Sequence, residues 1–144
     1  MPRRLGVSRG RIGPARLGTS LRALQRRYRV VRRGRAVTRF CVRGGGRFLV
    51  GARRGRIDFV GSTARGHHTR QTAPGRRLGR GRPRGARRVR RGVLVGTLPG
   101  NGRVIYGKRR GRTAFVAVVP RRAAARTGAL MRRLRAVGLV ARRL

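Results

Sequence analysis

The sequence has almost no negative charge. Asp58 is the only acid among 144 residues, set against 41 arginines and one lysine, for a formal net charge of +41. A site built on paired carboxylates is excluded, and so is a network of ordinary salt bridges. Aromatic residues are scarce as well: tryptophan is absent, with two tyrosines and four phenylalanines placed mostly at core positions. That leaves no row of stacking platforms for single-stranded nucleic acid. Cysteine is reduced to Cys41, which builds no disulfide framework. No apolar run approaches the roughly 20 residues that a membrane-spanning helix needs.

What is present is arginine, glycine and short apolar runs. The length predicts a single domain. With 24 glycines and a 38% hydrophobic share, the core is expected to be small and rich in turns. Chains of this size bury only about two-thirds of their unfolded surface. Repulsion among 42 cations opposes compaction further, so counter-ions or an anionic partner are expected to stabilise the fold. Arginine suits such a partner, because its guanidinium fork grips phosphate and carboxylate bidentately and is never neutralised. The excess of arginine over lysine is nevertheless assigned mainly to GC-rich coding, which favours Arg, Gly, Ala and Val. A shifted reading frame of such a gene would also be poor in acids; the ordered repeat described below argues against one.

Along the chain, residues 1–10 read as a basic tail, 11–62 as a helix plus antiparallel strands, 63–92 as a mobile basic loop, 93–120 as further strands and 121–144 as a closing helix. Met1-Pro2-Arg3-Arg4 resembles the basic start of a signal peptide, but no apolar stretch of the required length follows. The expectation is a cytosolic chain or a piece of a longer one. Leu17, Leu21, Leu24 and Tyr28 form one helical stripe, with Thr19 or Ser20 as cap. Apolar runs on either side of Gly-containing turns then read as a meander of about four strands. Phe40-Cys41-Val42 predicts a buried strand cysteine. Between 75 and 92 there is almost no apolar content, and Pro83 and Gly85 would break a helix. Val93-Leu94-Val95, Val104-Ile105-Tyr106 and Thr113 to Val119 resume strands, ended by Pro120. The last helix is expected from about Arg121 to Val137. Thr127, Leu130, Met131, Leu134 and Val137 form its apolar face and Gly138 is its stop.

An internal repeat organises this pattern. RFLVGARRGRIDFVGS at 47–62 aligns without gaps on RVIYGKRRGRTAFVAV at 103–118, with eight of 16 positions identical. Composition inflates the arginine and glycine matches, but not Phe59/Phe115 and Val60/Val116. Upstream, Arg16-Leu17-Gly18 has a counterpart in Arg77-Leu78-Gly79. One such unit cannot bury its sheet face alone. The predicted fold class is therefore α+β: two related helix-plus-antiparallel-strand units sharing a sheet, with the helices on one face and a C-terminal amphipathic helix.

The stretch Ile12-Gly13-Pro14-Ala15-Arg16-Leu17-Gly18-Thr19-Ser20, a short helix and strands ending in a GRI-FV hairpin resemble the tandem repeats of the beta-lactamase-inhibitor-like and SmpA/OmlA-like fold. Phe40 to Gly46, Ala64 to His67, Tyr106 to Arg112 and Leu134 to Leu139 look more like an uncharacterised C-terminal module of secreted or envelope proteins from high-GC actinobacteria. The resemblance covers roughly residues 11–140. It implies a non-catalytic, extracytoplasmic module that binds proteins or acts as a scaffold.

Little in the sequence supports catalysis. Cys41 with His67 or His68 is the only conceivable nucleophile–base pair, with Asp58 the only acidic orienter. Cys41, His67 and His68 are too few for a zinc site. Gly44-Gly45-Gly46 lacks the following GK[ST] of a phosphate-binding P-loop and reads as a tight turn. No catalytic residue, metal or cofactor is expected. The three RRGR turns, at 32–35, 53–56 and 109–112, place arginines beside an exposed glycine backbone where phosphates could be gripped. The anion-binding residues expected first are Arg76, Arg77, Arg80, Arg82, Arg84, Arg87, Arg88, Arg90 and Arg91. Arg53, Arg54, Arg109 and Arg110 at the hairpin tips come second. The expected function is that of a non-enzymatic, strongly basic accessory module associating with anionic surfaces or a protein partner. The alternative is sequence-independent binding of nucleic acid through its backbone.

Overall fold

Arg-Gly pairs turn the chain back on itself and organise most of the fold. The computed structural model describes residues 1–69, 73–76 and 85–140. Its elements begin with β1 (Leu5–Ser8), β2 (Arg11–Ile12) and β3 (Ala15–Arg16), followed by α1 (Leu21–Arg27). Next come β4 (Val30–Arg33), β5 (Thr38–Phe40), β6 (Phe48–Arg53) and β7 (Arg56–Ser62), then β8 (His67–His68) and β9 (Arg87–Arg90). β10 (Val93–Thr97), β11 (Gly102–Arg109) and β12 (Arg112–Pro120) lead into α2 (Arg121–Ala125) and α3 (Thr127–Ala136). The fold is mixed α and β and mostly strand. An eight-stranded sheet has the order β4-β5-β6-β7-β12-β11-β10-β9, and a small sheet has the order β3-β2-β1-β8.

Three hairpins share one turn chemistry. Arg9-Gly10, Arg54-Gly55 and Arg110-Gly111 fill the two turn positions, with φ of 39° and 75°, 52° and 75°, and 49° and 74°. Positive φ at both positions is a type I′ turn, whose twist matches that of the flanking strands. Glycine adopts it freely, whereas arginine does so at a cost. The RRGR stretch at 32–35 does not follow suit. Gly34 has no positive φ, and the chain turns one step later, where the Gly34 amide donates to the Val37 carbonyl at 2.9 Å.

The hairpins β6–β7 and β11–β12 have the same register. Arg53 faces Arg56 and Arg109 faces Arg112, and the pairing shifts between Gly51 and Ala52 in one and between Gly107 and Lys108 in the other. Where the hairpins meet, β7 and β12 run antiparallel with Gly61 opposite Ala117. At Gly107 a Cβ would overlap the Phe115 ring lying across from it. The equivalent space at Gly51 is taken by the Arg133 guanidinium.

The large sheet is buried on both faces. Phe48, Val50, Val60, Val104, Tyr106, Val116 and Val118 pack with Val7, Ile12, Ala15 and Leu24, the last from α1. Their strand neighbours Leu49, Phe59, Val95, Ile105, Phe115, Ala117 and Val119 pack with Leu130, Met131 and Leu134 of α3. α1 and α3 therefore lie on opposite faces of the sheet, not on the one face expected. The reason is in the strands: β11 and β12 are apolar at successive positions, so each face needs a cover.

Other expectations are corrected as well. Residues 1–10 are no tail, because they contain β1, and Met1 and Val7 are buried. The Met1 amino group donates to the Cys41 carbonyl at 2.5 Å, and the Arg43 amide donates to the Met1 carbonyl at 3.1 Å. The stretch 63–92 holds β8 and β9; its residues 70–72 and 77–84 lie outside the described residues. Cys41 is exposed one residue past β5, since alternation turns Thr38 and Phe40 inward and Cys41 outward. The C-terminal helix is two helices broken at extended Arg126 (φ −105°, ψ 96°). The Arg121 amide, held by the Asn101 carbonyl at 2.7 Å, fixes α2 to the sheet end, and the bend lays the α3 stripe across the sheet. Gly138 ends α3 with φ 72°, and the Leu139 amide returns to the Leu134 carbonyl at 3.0 Å. At α1, Ser20 is the cap, its Oγ accepting from the Ala23 amide at 3.4 Å.

Candidate anion-binding surface

The arginines singled out in the sequence fall into two groups. Arg76, Arg87, Arg88, Arg90, Arg91, Arg53, Arg54, Arg109 and Arg110 are all exposed. Arg77, Arg80, Arg82 and Arg84 lie outside the described residues. The structure does not bring the exposed set into one site.

The tips at Arg54-Gly55 and Arg110-Gly111 point in opposite directions. Val60 faces Val118, Arg56 lies four positions before Val60, and Arg112 lies six positions before Val118 on the antiparallel partner. The tips are thus separated by ten residue steps, roughly 33 Å at about 3.3 Å per step. At the first end, Thr38 faces Val50, which sets the β4–β5 turn with Arg33 and Arg35 beside Arg53 and Arg54. At the second end, the Lys108 amide donates to the Gly92 carbonyl at 2.6 Å, bringing Arg90 and Arg91 beside Arg109 and Arg110. Arg76 joins this end, because the Thr113 amide donates to its carbonyl at 2.9 Å. The Arg112 guanidinium donates to the Gly75 carbonyl at 2.9 Å. Arg87 and Arg88 continue the charge along the edge strand β9.

Counter-charge within the protein is limited. Asp58, the only side-chain carboxylate in the sequence, accepts from Arg133 at 2.8 Å, each side chain one-third exposed. Arg133 also sits over the Phe59 ring at 5.7 Å, so the acid serves to fix α3 on β7.

Next to the second end lies a cleft of about 750 Å³ lined by Arg3, Arg4, Arg65, Arg76, His68 and Thr69, among others. Its wall is the parallel pair β1–β8, in which Leu5 faces His67. Sequence reasoning missed Arg3, Arg4 and Arg65. The signal would have been a pairing between residues sixty positions apart, which no local pattern announces.

His67 pins that wall from inside. It is fully buried, with Nδ1 accepting from the Ser62 hydroxyl at 2.7 Å and Nε2 donating to the Pro2 carbonyl at 3.0 Å. Ser62 in turn accepts from the Ala64 amide at 3.0 Å. Burial pushes the imidazole pKa below its ordinary value, partly offset by the bond to Pro2. A Ser–His pair is one element of nucleophilic catalysis, but both side chains are sealed from solvent and both ring nitrogens are engaged, so the pair acts as a clasp. His68 points outward, donating from Nδ1 to the Gly66 carbonyl at 3.2 Å. Cys41 lies on the exposed rim after β5, hydrogen-bonded through its backbone to Met1 and Arg29. Among the described residues no three His, Cys, Asp or Glu side chains group as a metal site would require. Tyr106 is buried beneath Thr69, whose side chain bonds its hydroxyl; burial raises the phenol pKa and that bond pulls it back.

No protein-family model matches the chain, and neither a curated protein nor a solved structure matches it.

Proposed function

We propose that the protein is a non-enzymatic polyanion-binding module built from two related units. The second half of that reading draws on the shared register, bulge position and turn conformation of β6–β7 and β11–β12, each 56 residues apart as Gly51 is from Gly107. It draws too on the pairing of Gly61 with Ala117, which sits at the same spacing and so puts a local two-fold axis between the hairpins.

The observation that carries the first half is the exposure of arginine clusters at both ends of the sheet, in a chain whose one side-chain carboxylate is already paired. Guanidinium clusters of this kind take phosphate, sulfate or carboxylate groups through charge-assisted hydrogen bonds. The only large hydrophobic side chain exposed among the described residues is Val31, so no apolar patch competes as a docking surface. An anionic surface or an acidic protein face fits this description. Nucleic acid is the second reading, favoured by the opposed placement of the two ends: one flat surface meets only one end, whereas two rods of phosphate can be bridged.

The test is an anisotropy titration with duplex DNA, single-stranded RNA and a non-nucleic polyanion of matched charge, each at two salt concentrations. Generic binding predicts similar affinities that fall together as salt rises. A preference for one nucleic acid that survives high salt selects the second reading. Weak binding of all three at low salt overturns both.

A further inference from the structure

We propose that the cleft walled by the β1–β8 pair binds a compact oligophosphate, a short chain of linked phosphates, through Arg3, Arg4, Arg65 and Arg76. This cleft adjoins the second arginine end and shares Arg76 with it, whereas Arg3, Arg4 and Arg65 belong to the cleft alone.

Among the described residues, four arginines and one histidine line this cleft, and no carboxylate does. The chain has no side-chain carboxylate left to supply one. Four cations held this close repel one another, and an anion with several charges on linked centres relieves that repulsion where a single sulfate falls short. The planar forks of arginine match phosphoryl oxygens. At about 750 Å³ the cleft lies in the ~300–1,000 Å³ range of small-molecule sites. Among the described residues that line it, His68 is the only one with an aromatic ring, so recognition runs through the phosphate chain and needs no base.

The walls are set before a ligand arrives. The Leu5 amide donates to the Gly66 carbonyl at 3.2 Å, and buried His67 holds Pro2. Gly66 has no Cβ, and one there would overlap the Arg3 carbonyl, so glycine allows the close approach that puts Arg3 and Arg65 on the same cleft. Across the opening, the Arg65 side chain lies along Gly75, where an added Cβ would stand 3.2 Å from its Nε. That contact places Arg65 against the segment that presents Arg76. This pre-organisation lowers the ordering cost of binding.

The experiment is isothermal titration calorimetry on the full chain at fixed ionic strength with tripolyphosphate, ATP, long-chain polyphosphate, sulfate and citrate. Tripolyphosphate is expected to bind at one site per chain, at least about tenfold tighter than sulfate or citrate. The R65Q/R76Q variant should lose about 100-fold, some tenfold per arginine–phosphate contact. The R22Q/R26Q variant on α1, with the same loss of charge, should bind as the parent does. All four positions are exposed, and thermal unfolding of each variant verifies folding. Equal binding of ATP and tripolyphosphate identifies a terminal phosphate chain as the recognised group and supports the site. Citrate binding as tightly as tripolyphosphate overturns it, as do equal losses in the two variants or binding of long-chain polyphosphate alone. Duplex binding by anisotropy with the R53Q/R54Q variant reports on the far tip, which shares no residue with the cleft, so the two readings fail independently.

Discussion

At the residue scale, the arginines that hold left-handed conformations are informative. Arg54 and Arg110 occupy positive φ at I′ turns where asparagine or glycine is at ease. Arg54→Asn and Arg110→Asn are each expected to stabilise the fold by about 0.5–1 kcal/mol, read by urea unfolding, because the left-handed cost to arginine is relieved. The same variants should weaken polyanion binding at low salt, so strain and affinity trade against each other at these tips. His67 provides a second test. Its folded pKa is depressed, so the folded state takes up a proton at lower pH than the unfolded state does. The stability it contributes is fully present above the unfolded value of about 6.5 and is lost as pH falls through the lower folded value. Thermal melts from neutral to mildly acidic pH should show that decline, and His67→Gln should flatten it. None of this could be read from Ser62 and His67 in the sequence. A serine five residues before a histidine is no signature, and the clasp exists because the segment preceding β1 supplies Pro2, 65 residues away in the chain.

At the scale of elements, α3 shows how a chain nearly devoid of acid fastens a basic helix. Leu130, Met131 and Leu134 supply the apolar contact, and the pair Asp58–Arg133 fixes the helix against β7. The pair is one-third exposed, so its charge component is screened and Asp58→Asn should cost only about 0.5–1 kcal/mol. Arg133→Ala should cost more, because it also removes the contact over Phe59 and empties the space above Gly51. Urea unfolding of both variants orders the two effects, and equal costs would reduce Arg133 to an ion-pair partner. Much of this level was legible in advance. The 3.6-residue stripe of α3, its Gly138 stop, the Ser20 cap of α1 and the hairpins on Arg-Gly turns follow from local chemistry. The break at Arg126 was not legible, since the helical pattern continues across it. It arises because α2 follows the end of β12 while α3 must lie across the sheet.

At the scale of the whole molecule, a net charge of +41 works against folding, and the sheet, covered on both faces, carries an arginine cluster at each end in addition to the arginines along its helices and loops. Ligands that bind only the folded state should therefore stabilise it. A polyanion at about 100 times its Kd is expected to add about 2.7 kcal/mol and to raise Tm by some 5–10 °C, an effect that salt should erode. The spacing of roughly 33 Å between the tips carries a further expectation. On duplex DNA the protein should cross-link molecules, visible as light scattering at sub-stoichiometric protein. Weakening only one end, with R53Q/R54Q or with R109Q/R110Q, should reduce scattering sharply while leaving single-duplex binding largely intact. Loss of binding and scattering together would mean that the ends act as one site.

The sequence by itself determined the sign and abundance of charge, the lack of carboxylate chemistry, the Arg-Gly hairpins and the periodicity of its helices, because each of these depends on neighbours within a few residues. It also made both tips arginine-rich. Only the tertiary structure decided that α1 and α3 cover opposite faces, that the first ten residues contain a strand, and that the tips point away from each other. Only it brought Arg3, Arg4, Arg65 and Arg76 around one cleft. Those outcomes rest on antiparallel pairing of β7 with β12 and parallel pairing of β1 with β8, contacts between residues more than fifty positions apart. Such pairings are selected by how well two apolar faces can be covered at once, a property of the assembled sheet that no local stretch of sequence contains.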